Sequence, residues 1–168
     1  IKVVRDVLHK EKQPEDTNAL VNTSGGYVSW RWGYKMLVLT EYHLLTGDDY
    51  VLPAIRMYAE GLASGQDAAG LWGHQMASTG SLGRAHGYGS MNQPTLPIFI
   101  SLILAKKCGV DSPRISAAAK RTTDHYISKY MHKGALPYGN HGPNSKGYNN
   151  NGSSASLAIA LAAAGHVE

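Results

Sequence analysis

At 168 residues, with 43% hydrophobic and 17% charged side chains, the chain is long enough for one domain with a real core and too apolar for disorder. The net charge of +4, with eight histidines besides, tilts it mildly towards anionic partners, but Lys and Arg form no run, so no nucleic-acid surface is expected. Cys108 is the sole cysteine, which excludes an internal disulfide and a cysteine-rich zinc site, and the longest apolar stretches reach about half of a bilayer span, so no membrane segment is expected.

In chain order, "IKVVRDVLHKEK" resembles a damaged outer helix, and a start at Ile1 rather than Met suits an excised or processed piece of something longer. "YKMLVLTEYHLLT" (34 to 46) reads as a helix that is apolar nearly all round. "YVLPAIRMYAEGLA" (50 to 63) is amphipathic instead. Leu52, Ile55, Tyr58 or Ala59, and Leu62 make one stripe, with Arg56 and Glu60 outside it and Asp48 or Asp49 ahead of Pro53 as a start signal. "LPIFISLILAKK" (96 to 107) is again apolar throughout, with Pro94 and Pro97 in its first turns and Asn92 at or near its cap. In "SPRISAAAKRTTDHYISKYM" (112 to 131), Ile115, Ala118, Ala119, Thr122, Tyr126 and Tyr130 make the stripe and Ser112-Pro113 the N-cap and N1 pair. "SASLAIALAAAG" (154 to 165) is a third apolar helix.

The alternation is periodic. Gly33, Asn92 and Gly152 open the apolar helices at steps of 59 and 60, and Gly47 and Gly109 close the first two. Glycine-aromatic elements, "GGYVSW", "GLWGH" and "GALPYGNH", recur between the hairpins. A unit of about sixty residues, buried helix then amphipathic helix then Gly-aromatic turn, is a helical-hairpin repeat. The expectation is an all-α chain: a single domain over 1–168, built as an α/α-toroid-like array of about three helical hairpins, with only short extended pieces at the Gly-aromatic turns. Such a partial array leaves faces that the rest of a ring, or another copy, must cover.

The segments "YVLPAIRMYAEGLASGQDAAGLWGHQMA", "GYGSMNQPTLPIFISLILAKKCGV" and "GALPYGNHGP" resemble a bacterial family known as a domain of unknown function. The likeness spans roughly Trp30 to Gly165, with "WGH", "GYG-x-MN" and "PYG-x-H" as its signatures. The resemblance implies a fold like the α/α toroids of terpene cyclases, six-hairpin glycosidases and polysaccharide lyases. In those folds the cleft is lined by the loops that enter the inner helices. One departure stands out: the third loop reads "KGYNNNGSS", without the carboxylate the resemblance implies there.

In this chain those loops are "GGYVSWRWGY", "GHQMASTGSLGRAHGYGSMNQ" and "GNHGPNSKGYNNNG". Long loops on a compact scaffold are disproportionately functional. Trp30, Trp32, Tyr34, Trp72, His74, Tyr138, His141, Tyr148 and Asn150 are the candidate substrate-binding residues. Flat rings stack on sugar C–H faces, while amides and guanidinium forks bind hydroxyls and carboxylates. The same glycine-flanked aromatics, Trp72 and Tyr138 above all, also suit a joint that packs one hairpin on the next.

Asp67, just ahead of the second Gly-aromatic turn, is the one carboxylate near these loops, and a carboxylate pair is what acid/base glycoside hydrolysis uses. No aspartate-rich motif supports terpene cyclisation, and His74, His86 and His141 lack tight zinc spacing, so no metal or cofactor is expected. β-Elimination of a uronate polysaccharide matches the inventory: Asn92 and Arg84 as neutralisers, and His86 or Tyr88 for proton transfer. The expected partner is a polysaccharide or other polar polymer, with self-association or a missing toroid half, and the expected location is secreted or periplasmic. The alternative is a non-catalytic helical-repeat interaction domain.

Overall fold

A computed structural model describes residues 2–3, 27–77, 83, 85, 88–129, 136, 139 and 151–165. The first long helix, α1 (Val28–Thr46), begins a turn and a half earlier than its apolar core predicts. No proline interrupts "VSWRWG", and Val28, Trp32, Met36, Leu39 and Thr40 recur on one buried face at helical spacing. Gly47, at φ 67°, ends it in the left-handed conformation that favours glycine, its N–H donating to His43 O at 2.7 Å.

A short 3-10 turn, Asp49–Val51, is capped by Asp48, whose Oδ1 accepts from Tyr50 N. It leads into α2 (Leu52–Ser64) with Pro53 in the first turn. Then come α3 (Asn92–Lys107), α4 (Pro113–Lys129) and α5 (Asn151–Ala163). The Ser112 hydroxyl caps α4 by accepting from Ile115 N at 3.2 Å, as the Ser-Pro pair predicts. At the start of α3 Asn92 lies next to the cap, as expected, and one detail differs. Met91 is the N-cap and Asn92 the first helical residue, and Pro97 sits inside the helix, where it removes the donor that would serve the Gln93 carbonyl.

The architecture is all-α. Among the described residues the extended pieces amount to two isolated antiparallel bridges, Trp72 with Met91 and Met91 with Gly139. α1, α3 and α5 form a row in which α3 is the middle member. α2 and α4 pack on that row and on each other. The main core joins Trp32, Met36 and Leu39 of α1 to Ile55, Tyr58 and Leu62 of α2 and to Ile98, Leu102 and Ala105 of α3. Phe99 and Ile103, on the opposite side of α3, meet Ala160 of α5 and Ala119 of α4. Only the middle helix of the row meets the expectation of burial all round. α1 leaves Tyr34, Val38, Leu44 and Leu45 exposed and α5 leaves Ile159 exposed, because each has one neighbour in the row instead of two.

Cys108 ends α3 in the core, with its Sγ 3.6 Å from Thr40 O. Burial, and then the nearby Glu41 charge, push its thiol above the usual value. No helix among the described residues is long and apolar enough to cross a membrane.

α2 approaches Trp32 closely in the core. A Cβ on Gly61 would lie 2.5 Å from Trp32 Cζ3, and the indole is already held edge-on against Tyr58 with ring centroids 5.3 Å apart. Gly→Ala in a helix ordinarily stabilises by up to about 1 kcal/mol. Here Gly61→Ala is expected to destabilise by about 1–3 kcal/mol through overpacking, read as a lower midpoint in thermal or urea unfolding.

Candidate functional site

The starts of α1 and α3 lie at the same end of the helix row, joined by the segment after α2. Ser29 N donates to His74 O at 3.3 Å, and Met91 N donates to Trp72 O at 2.9 Å. Two layers of side chains are built on this end, one buried and one facing solvent.

The buried layer is a polar joint. Asp67 Oδ1 accepts from Ala69 N and Leu71 N, both at 2.9 Å, and its Oδ2 accepts a short hydrogen bond from the Ser90 hydroxyl. Gln66 Nε2 donates to Gly70 O, Ala118 O and Thr122 Oγ1, while its Oε1 accepts from Arg121 Nε at 2.7 Å. Trp72 is fully buried, and its indole N–H donates 2.8 Å to Leu62 O in the last turn of α2. Thr95 Oγ1 accepts from Trp72 N at 2.9 Å. Asn92 is fully buried as well. Its Oδ1 accepts from the Tyr126 hydroxyl at 2.9 Å, and its Nδ2 donates to Gly139 O at 3.4 Å. Burial holds the Tyr126 phenol far above its ordinary pKa, so this hydroxyl remains a donor to Asn92.

The solvent-facing layer is aromatic. Tyr27, Tyr34 and Tyr88 are each more than half exposed. Trp30, half-buried, stacks on Tyr34 with ring centroids 6.2 Å apart and on His74 at 6.1 Å. Tyr27 meets the His74 ring edge-on at 4.7 Å, and Tyr88 lies 6.4 Å from it. The Trp30 indole N–H donates to His74 Nδ1 at 2.8 Å. An indole can only donate, so His74 carries no proton on Nδ1 in this arrangement. Arg31 and Lys35 are exposed on the same stretch of α1.

These placements divide the residues predicted for the site. Trp30, Tyr34, His74 and Tyr88 come together on the surface. Trp32 and Trp72, read from sequence as substrate-binding, are core residues: Trp32 is wedged between Gly61 and Tyr58, and Trp72 is closed off beneath the bridge to Met91. Asn92, read as a neutraliser of a substrate carboxylate, points its amide into the fold. Asp67, in the segment after α2, is engaged by two backbone N–H groups and Ser90. Arg84, His86, Tyr138, His141, Tyr148 and Asn150 lie outside the described residues. No group of three or more His, Cys, Asp or Glu suited to a metal occurs among the described residues.

Sequence reasoning missed the joint formed by Gln66, Asp67 and Ser90. The available signal was local: an Asp followed at two and four residues by the backbone of a Gly-aromatic turn is the pattern of an Asx-turn.

A family profile, described as Domain of unknown function (DUF6288), matches residues 2–168. The chain belongs to this family. No curated protein and no solved structure matches it. Membership spans both layers, so the joint and the aromatic rim belong to one family domain.

Two outcomes test the buried layer. Asn92→Ala leaves the Tyr126 hydroxyl without its acceptor and is expected to cost about 1–3 kcal/mol in urea unfolding, a stability effect rather than a silent loss of a ligand contact. The raised Tyr126 pKa makes its stabilising contribution complete below the unfolded-state value near 10 and erodes it as pH rises further. Base-induced unfolding is therefore expected to steepen above about pH 10, and Tyr126→Phe to remove that part of the slope.

Proposed function

We propose that the end of the array formed by the starts of α1 and α3 handles carbohydrate, and that a uronate-containing polysaccharide fits it best. One observation carries this reading: Tyr27, Trp30, Tyr34, His74 and Tyr88 form a connected aromatic surface, much of it exposed, with Arg31 and Lys35 alongside. Exposed aromatic faces carry negative quadrupoles that attract polarised C–H groups, and a sugar ring presents such a face. Guanidinium and ammonium groups beside them suit carboxylates, and the net charge of +4 agrees.

In this reading the helix row is an arc of an α/α toroid and the rim is the mouth of its cleft. The chemistry that matches the residue types is β-elimination. A base removes the C5 proton of the uronate, the C4–O bond breaks as the C4=C5 double bond forms, and the departing oxygen takes up a proton. Tyr88 stands on the rim with a hydroxyl able to exchange that proton, and His86, two residues earlier in the sequence, is the second proton carrier. Because the Asn92 amide is engaged by Tyr126 and Gly139, neutralising the substrate carboxylate passes to arginine: Arg84 in the loop or Arg31 on α1.

The second reading, a non-catalytic helical-repeat interaction domain, is favoured by Trp32, Trp72 and Asn92, which serve the packing of one hairpin on the next. The two separate in a titration of the folded chain with pectate, alginate and a neutral glucan. We expect saturable binding to the uronate polymers, weakened about two- to tenfold by Trp30→Ala and by Tyr88→Ala with the fold intact. A folded chain that binds none of them contradicts the carbohydrate reading. Ultraviolet absorbance of an unsaturated uronate tests elimination, and binding without that product restricts the site to recognition.

A further inference from the structure

The Trp30–His74 hydrogen bond sets which nitrogen of the imidazole is left for a ligand. The indole N–H donates to His74 Nδ1 at 2.8 Å, with the two ring planes 29° apart. An indole nitrogen has no lone pair to accept with, so Nδ1 is the acceptor and a neutral His74 carries its proton on Nε2. Nε2 makes no hydrogen bond among the described residues and is not closed off from water, so its N–H opens onto the rim.

Neighbours hold His74 in place around that open donor. Tyr27 meets the ring edge-on with centroids 4.7 Å apart, and Tyr88 lies at 6.4 Å. The backbone is anchored as well, since His74 O accepts from Ser29 N at 3.3 Å. A Cβ on Gly73 would run into the Gly89 carbonyl, and Gly89, at φ 90°, turns the chain just after Tyr88. His74 and Tyr88 thus stand on segments in direct contact, and the N–H beside them is oriented before any ligand arrives.

We infer that His74 is the specificity-determining donor of the rim: its Nε2–H hydrogen-bonds a carboxylate oxygen of the bound sugar, and Trp30 holds it in the tautomer that does so. This role rests on the carbohydrate reading of the rim and adds the ligand group that meets His74. A ring that offers an N–H and no free lone pair takes an atom that accepts, and an ionised carboxylate only accepts. Arg31 and Lys35, exposed on the same stretch of α1, favour a charged acceptor over a neutral hydroxyl. The arrangement also bars His74 from acting as a base, because the Nδ1 lone pair is taken by the indole N–H. Proton abstraction therefore belongs to another side chain.

Two measurements on the folded chain test this. Long-range proton–nitrogen spectra of the imidazoles at about pH 8.5, above the usual range of histidine titration, read the tautomer without any ligand. His74, assigned by the signal lost in His74→Gln, is expected in the Nε2–H form. Titration then compares an oligogalacturonate with the same oligomer after its carboxyls are reduced to neutral alcohols. The oligogalacturonate is expected to shift the His74 Nε2 resonance, and His74→Ala to weaken its binding about tenfold. His74→Gln, whose amide N–H reaches towards the place of Nε2, is expected to restore most of that loss. The reduced oligomer is expected to bind the wild type and His74→Ala alike. An Nδ1–H tautomer overturns the inference. So does a folded His74→Ala that binds the oligogalacturonate as tightly as the wild type, or one that loses affinity for both oligomers equally. The tautomer and the Nε2 shift are read on the wild type, so they decide the matter even where a variant does not fold. A wild type that binds neither oligomer removes the carbohydrate reading and this inference together, whereas binding that ignores His74 removes the inference alone.

Discussion

Helix α3 has no polar face. Every turn from Asn92 to Ala105 places a buried side chain against protein, so the helix is stable only with neighbours on all sides. That requirement orders the rest of the chain. α1 and α5 must flank it, α2 and α4 must roof it, and the loops that lead into it must close without leaving backbone donors unsatisfied in the core. The Asp67 and Gln66 joint meets that last condition. A carboxylate and an amide, both buried, satisfy the backbone of the turn after α2 and tie it to α4 and to the segment entering α3.

Because the joint fixes the ends of α1 and α3, the side chains above it are held on a rigid base. Trp30 and His74 come from segments 44 residues apart, yet they meet through one hydrogen bond and a stacked contact. Side chains assembled from two helix starts and an anchored turn keep little conformational freedom, so their arrangement is fixed before anything meets them. The polar residues beneath have a different role. Asn92, Tyr126, Trp72 and Thr95 find their partners within the fold, and their geometry is that of a closed network.

Much of the fold was legible in the sequence because its two kinds of helix differ in pattern. The stripe of Ile115, Ala118, Thr122 and Tyr126 carries the helical period, and the unbroken apolar run from Leu96 to Ala105 shows a helix with nowhere to meet water. The site was less legible, and the tryptophans show why. Read as loop residues, Trp30 and Trp32 are equivalent. Once α1 is seen to begin at Val28, two residues separate them by about 200° around the helix. Trp32 then falls in line with Val28 and Met36 in the core, and Trp30 turns to His74. Trp72 lies outside any periodic segment, and its fate depends on a carbonyl at the end of α2 that no local pattern around it reveals. Asn92 looked like a cap or a ligand group. Its partners, Tyr126 and Gly139, lie 34 and 47 residues away.

A buried polar joint and an exposed aromatic rim share one end of the helix row. The chain carries three tryptophans, Trp30, Trp32 and Trp72, and each indole N–H gives its own resonance in a two-dimensional proton–nitrogen spectrum. The direct measurement follows these three signals while a soluble uronate oligosaccharide is added. The account predicts that the Trp30 resonance shifts progressively to saturation while those of Trp32 and Trp72 stay in place. A titration in which Trp72 or Trp32 responds and Trp30 does not, or in which none of the three moves, would contradict it.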